Sequence, residues 1–172
     1  DFNLNTVNVF KIAEAIRLYQ PNCKFINLSS AAVYGNPESL PIKESFKLNP
    51  LSPYGIHKMQ AEQILSEFHS FYNIKTCSVR IFSAYGNGLK KQLLWDLYNK
   101  FISDKPIDLY GTGNESRDFI HVSDVVQALD LIIEKGTFDN QQINIANGQE
   151  FTIQHIAETF KSILKVEQNI VF

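Results

Sequence analysis

At 172 residues, 44% hydrophobic and 20% charged, the chain is long enough to bury a sizeable core and has the balance of a soluble globular protein. A net charge of -2 and a pI near 6.1 leave no basic footprint for nucleic acid or an anionic membrane surface. No apolar run approaches the roughly 20 residues of a membrane span, and no signal-peptide pattern opens the chain.

Taken in order, the segments alternate between strand and helix patterns, which predicts a parallel sheet with helices on its faces. Residues 5 to 19 read as a helix with Val9, Ile12, Ala13 and Ile16 on one side. Residues 24 to 28 are an apolar strand after the Pro21-Asn22 turn. Asn36 to Pro53, which holds four of the six prolines, reads as a long ordered loop. Ser52 is an N-cap and Pro53 a first helical residue for a helix to about 72, with Ala61, Ile64, Leu65, Phe68 and Phe71 in helical period. A strand over 75 to 82 follows, then a helix over 91 to 103 opened by the Lys90-Lys91 pair, which reads as a solvated start or else as a phosphate contact. Short strands are expected at Ile107 to Tyr110 and Asp118 to His121, a helix capped by Ser123 to about Lys135, a strand at Gln142 to Ala146, and a helix capped by Thr152 to about Leu164.

Cys23 and Cys77 have no metal-like spacing and suit a reducing compartment, and His57, His69, His121 and His155 form no ligand pair, so no metal site is expected. His57 reads as a surface position.

The chemistry concentrates in Ser52-Pro53-Tyr54-Gly55-Ile56-His57-Lys58. Residues four apart share a helix face, so the Lys58 ammonium can approach the Tyr54 hydroxyl. A free tyrosine titrates at about 10, and a nearby cation together with the helix dipole favours the phenolate, moving Tyr54 toward the range useful for acid/base catalysis. The bland alternative is a half-buried aromatic beside a solvated lysine. Upstream, Phe25-Ile26-Asn27-Leu28 breaks into Ser29-Ser30-Ala31-Ala32, as a strand should where it opens into a site loop. Ser30 is then a partner for a substrate oxygen, or else a serine satisfied by local backbone.

These residues resemble the extended short-chain dehydrogenase/reductases, and within them the NAD-dependent nucleotide-sugar epimerase/dehydratase group, over nearly the whole chain. Asn5, Ser30, Tyr54 and Lys58 match that family's catalytic set with the spacing of the galactose-type 4-epimerases. Arg80-Ile81-Phe82-Ser83-Ala84-Tyr85-Gly86 is similar to the strand and loop that meet the nucleotide sugar. Gly111 to Asp124 is similar to the Gly-x-Gly, Arg-Asp-Phe and Val-x-Asp stretch. The resemblance implies an α/β fold, a partial Rossmann-like doubly wound parallel sheet plus most of a small substrate-binding α/β domain. Residues 1 to 82 would be the second half of the dinucleotide-binding domain. Residues 83 to 172 would be mainly the nucleotide-sugar region, interleaved with returning Rossmann elements.

It further implies transient oxidation of a sugar carbinol, with Tyr54 as proton acceptor, Lys58 tuning it and Ser30 hydrogen-bonding the same oxygen. Asn5, Ser29, Tyr54, Lys58 and Phe82 would contact the cofactor; Asn5 reads equally as a polar helix-start residue. Ser30, Ala31, Ala32, Ser83 and Arg117 would contact substrate, Arg117 through the diphosphate, unless it merely pairs with Asp118. A nucleotide-diphosphate sugar, a homodimeric parent and a cytoplasmic location complete the expectation. The rivals are a net reductase or dehydratase of a sugar nucleotide and a non-catalytic binding homologue.

Departures from the family pattern narrow the reading. Dehydratases carry Asp-Glu, and sugar-acid decarboxylases a Glu, where this chain has Ala31 and Ala32, and alanine transfers no proton. Ser83 stands where many epimerases have an Asn. The Gly-rich pyrophosphate turn is missing, since neither Gly86-Asn87-Gly88 nor Gly111-Thr112-Gly113 sits between a strand and a helix in a βαβ unit. The implied cofactor is therefore NAD, with NADP left open. The expectation is an internal fragment, with on the order of ninety residues before Asp1 and perhaps fifty or sixty after Phe172. If the family's first strands are missing, the sheet would expose an edge near residues 24 to 28.

Overall fold

The computed structural model describes residues 1–103 and 107–172. Its elements are α1 (Asn8–Tyr19), β1 (Lys24–Ser30), α2 (Pro53–Tyr72), β2 (Lys75–Ile81), β3 (Ser83–Tyr85), α3 (Gln92–Phe101), β4 (Ile107–Asp108), β5 (Ser116–His121), α4 (Val122–Lys135), β6 (Asp139–Ile145), β7 (Glu150–Thr152), α5 (Ile153–Leu164) and β8 (Ile170–Val171). They fall into two compact units, residues 1–82 with 124–145 and residues 83–123 with 146–172.

In the first unit β1, β2 and β6 form a parallel sheet in that order. Adjacent residues of β2 face opposite sides, yet Thr76, Ser78 and Arg80 are as buried as Cys77 and Val79. The strand is therefore covered on both faces, as a doubly wound Rossmann-type sheet requires. β1 pairs with β2 alone, and Leu28 is half exposed, so the expected free edge is present among the described residues. Ala13 of α1, Leu65 and Phe68 of α2, and Ile74 form the main core cluster, with Val9, Ile16, Phe25 and Ile64 packed around it. Each large side chain buried there contributes about 1.5–3 kcal/mol.

α2 begins as its residues dictate. The Ser52 hydroxyl accepts from the Gly55 N–H at 3.1 Å and Pro53 occupies the first turn. It ends at Asn73, whose left-handed backbone returns its N–H to the last carbonyls.

The second unit has its own core, built from Leu97 and Phe101 of α3, Ile107 of β4 and Ala157 of α5. β3 runs parallel to β5, β5 antiparallel to β7, and β4 parallel to β8. The Thr152 hydroxyl caps α5 by accepting from the His155 N–H at 3.1 Å.

Several expectations need correction. The first helix opens earlier, as a π-helical segment at Asn3–Val7 that passes into α1. α3 is shorter than 91 to 103, the strand at 107 stops at Asp108, and β5 and β6 both start before their expected residues. α4 starts at Val122, one residue before the expected cap, and the His121 ring accepts from the Ser123 N–H at 3.3 Å. β3, β7 and β8 have three residues or fewer, too short for a period to register.

Candidate functional site

Ser30 ends β1, and the start of α2, which carries Tyr54 and Lys58, packs against the turn that follows it. Ser30 is the last residue of that strand and caps a 3₁₀ turn over Ala31–Val33, its Oγ accepting from the Ala32 N–H at 3.2 Å. The local-backbone role is thus real, but it uses only a lone pair and leaves the hydroxyl proton to donate. Tyr54 stands in the first turn of α2, 41% exposed, so its phenol is open to a ligand. The two segments are held together through Gly55: a Cβ there would fall 2.6 Å from the Ala32 carbonyl oxygen and 2.9 Å from Pro50. Only a glycine lets α2 approach the 3₁₀ turn so closely.

Lys58 donates from Nζ to the Leu28 carbonyl at 2.7 Å and lies 5.7 Å from the Tyr54 ring centroid, so the two residues share a face of α2. Burial holds its pKa below the ordinary lysine value. Two N–H groups remain for another acceptor. This donor set, an open phenol beside an ammonium at the carboxyl end of a parallel strand, fits the hydroxyls of a nicotinamide ribose.

The other candidates are placed differently. Asn5 is buried in the π-helical segment, and its Nδ2 donates to the Asp1 carboxylate at 2.6 Å. The Ser29 hydroxyl is turned inward to Glu62 Oε1 at 2.5 Å, so only its backbone is left for a cofactor. Phe82 follows β2 and donates its N–H to Ile145. Ala31 and Ala32 line the 3₁₀ turn without an acid or base. In the second unit, Ser83 opens β3 opposite Phe119, and Arg117 sits exposed on β5. The suggested Arg117–Asp118 pair does not form: Asp118 instead accepts from the N–H groups of Asn147 and Gly148 at 2.8 and 2.7 Å. Among the described residues the Arg117 guanidinium has no carboxylate partner.

A buried polar network was not anticipated. Arg80 and Glu62, 4% and 6% exposed, form an ion pair at 2.7 Å, and Tyr34 and Ser29 join it. Burial pushes the Tyr34 phenol up, against the pull of the Arg80 hydrogen bond. The readable signal was an arginine inside an otherwise buried strand, which demands a counter-charge. Arg80 therefore faces the core, although the segment it begins resembles one that meets substrate. A cavity of about 420 Å³ lies in the loop that follows Tyr34, lined by Asn36, Ser45, Phe46, Lys47 and Asn49 among others; Ser30, Tyr54 and Lys58 do not line it. Among the described residues no cluster could hold a metal ion, and no helix is long and apolar enough to cross a membrane.

Known proteins are similar to this chain in sequence and fold. The chain is 28% identical over 165 residues to a putative UDP-glucose 4-epimerase of Methanocaldococcus jannaschii, covering 94% of this chain and 53% of that protein. It is 32% identical over 161 residues to the dTDP-4-dehydro-6-deoxyglucose reductase of Escherichia coli, covering 90% and 50%. The chain thus spans about half the length of these curated relatives. Its fold superposes with a TM-score of 0.89 on UDP-glucuronic acid 4-epimerase from Bacillus cereus, solved with UDP-glucuronic acid and NAD, at 26% identity and covering 97% of this chain and 54% of that one. The sequence signature of one family matches residues 1–146, and with the Rossmann-type sheet this establishes that the chain belongs to the NAD dependent epimerase/dehydratase family.

Proposed function

We propose that the full-length protein is an NAD-dependent nucleotide-sugar epimerase whose acid/base group is Tyr54. What supports this reading is the packing of α2 against the 3₁₀ turn at Gly55, which puts the helix start carrying the exposed Tyr54 next to the segment that Ser30 opens, with the Lys58 ammonium bonded to the Leu28 carbonyl. Tyr54 accepts the proton of a sugar hydroxyl, and the Ser30 O–H donates to the same oxygen as it gains carbonyl character. Lys58 holds its charge next to the phenol and offers its remaining N–H groups to the cofactor ribose. NAD, held beside Lys58, would supply the hydride acceptor and donor for the reaction.

Epimerisation is preferred over dehydration or decarboxylation because Ala31 and Ala32 provide no second acid or base at the turn. Residues 1–82 with 124–145 make up the cofactor unit. In the other unit Arg117, without a carboxylate partner among the described residues, binds the nucleotide diphosphate, and Ser83 contacts the sugar nucleotide. The assembly is a homodimer in the cytoplasm, in keeping with Cys23 and Cys77 as free thiols; burial pushes the Cys77 thiol up to about 11, so it stays protonated and inert.

The test is to incubate the full-length protein with several UDP-sugars and NAD and to follow the anomeric proton signals by NMR. A new epimer with the wild type and none with Tyr54→Phe is expected. Stoichiometric loss of nicotinamide absorbance, with no epimer, would replace the reading by a net reductase. An equally active Tyr54→Phe would remove Tyr54 from the mechanism.

A further inference from the structure

Three strands contribute one polar rung to the sheet: Ser29 of β1 is level with Arg80 of β2, which is level with Asn144 of β6. In a parallel sheet such neighbours project to the same face, and here that face lies under α2. Arg80 engages all three nitrogens of its planar fork. Nε and Nη2 grip the Glu62 carboxylate of α2, with contacts of 3.1, 3.3 and 2.7 Å. Nη1 donates to the Tyr34 hydroxyl at 2.8 Å and to the Glu44 carbonyl at 2.9 Å.

The bonds then spread outward. Tyr34 donates to Asn144 Oδ1 at 2.7 Å, the Asn144 N–H to Glu44 Oε1 at 2.9 Å, and Asn144 Nδ2 to the Ile42 carbonyl at 3.0 Å. The irregular segment 34–52 is thereby tied down at residues 42 to 44. It is tied again at Asn49, whose N–H donates to Val33 at 3.1 Å beneath Gly35, where a Cβ would fall 2.0 Å from the Asn49 carbonyl. Its far end, Pro50 to Ser52, seats the first turn of α2. One guanidinium therefore connects the residue before Ser30, the loop that leads into Tyr54, and the helix face one turn beyond Lys58.

Such a pair is poorly explained by stability. Desolvating two ions costs much of what their attraction returns, and apolar replacements of similar volume are often neutral or better. We propose that Arg80 is a positioning residue for the Ser30–Tyr54–Lys58 site, with Glu62, Tyr34 and Asn144 as its partners, setting where the serine strand end and the tyrosine helix start stand relative to each other. The inference rests on the epimerase reading above for its kinetic readout and on the network alone for its structural one.

In the full-length enzyme, Arg80→Lys keeps the charge but loses the fork, and is expected to lower kcat at least about 10-fold with KM within about twofold. The paired change Glu62→Leu with Arg80→Met is expected to unfold near the wild-type urea midpoint while losing about 10²-fold in kcat. Wild-type kcat in that stable pair would overturn the proposal. Should the pair fail to fold, Tyr34→Phe decides, since it deletes one hydroxyl. Its amides over 30–35 and 42–55 should exchange faster while those of 62–70 do not change. Uniform change throughout the sheet, or none, would overturn it. This exchange pattern needs no turnover, so a protein inactive on every nucleotide sugar would defeat the epimerase reading and still allow the positioning claim to be judged.

Discussion

The two units place their candidate residues on different kinds of support. Around Ser30, Tyr54 and Lys58, strand ends, a capped helix and a buried ion pair fix the backbone from several directions. Arg117 and Ser83 instead sit on strands of six and three residues, and the Arg117 side chain is exposed. Groups that move protons lose rate steeply when displaced, so they belong on the anchored framework, whereas groups that grip a substrate can change with the short strands that carry them. The residues proposed for chemistry and those proposed for substrate grip thus rest on separate supports.

Kinetics offers the largest test of that separation. In the full-length enzyme, Tyr54→Phe should lower kcat by about 10³-fold with little change in KM, as befits loss of a general base. Arg117→Met should do the reverse, raising KM about 10- to 100-fold at nearly constant kcat, the worth of a charge-assisted hydrogen bond. Parallel losses of kcat in both variants would end the distinction.

Stability gives the next largest effect. Glu62→Ala strands a buried guanidinium and should cost about 3–5 kcal/mol in urea unfolding. Ser52→Ala removes only a helix cap and should cost about 1 kcal/mol. A Glu62→Ala variant as stable as Ser52→Ala would mean that water reaches Arg80.

The Lys58 charge provides a gentler, pH-dependent probe. Because burial lowers its folded pKa, the unfolded chain binds more protons between that lowered value and the ordinary lysine value of about 10.4. Stability relative to Lys58→Met should therefore rise with pH through that window and be flat below it, as read from urea midpoints at about pH 7.5 and about pH 10. A difference falling with pH would place the ammonium in a stabilising partnership instead.

The smallest effect belongs to the second unit. Glu115 accepts from the Thr112 backbone N–H at 3.0 Å, which holds its carboxyl below the usual range. Its contribution is present above the ordinary glutamate pKa and lost as pH falls through the lowered one, so Glu115→Gln should flatten a slight acid-side decline in stability. Because the group is fully exposed, salt should screen that contribution. An unchanged acid profile would show that the turn does not depend on the carboxylate.

Much of this was legible in the residues themselves. Ser52-Pro53 and the apolar period after them define α2, and the four-residue spacing of Tyr54 and Lys58 defines their shared face, because caps and helical periods act within one turn of chain. Thr152 announced α5 for the same reason. α4 opens at Val122, one residue before the Ser123 read as its cap, and the His121 ring accepts from the Ser123 N–H there.

Tertiary structure alone decided which polar groups turn inward. Ser29 and Ser30 are neighbours of one type, yet the pleat sends the first to Glu62 and leaves the second at the strand end. Arg80, inside a segment that resembles a substrate loop, became the hub of a buried network because Glu62 and Tyr34, 18 and 46 residues away in the chain, converge on its face of the sheet. Local signals carry the elements and the spacing of the reactive groups; partners distant in the chain, which only strand register brings together, determine where those groups are held.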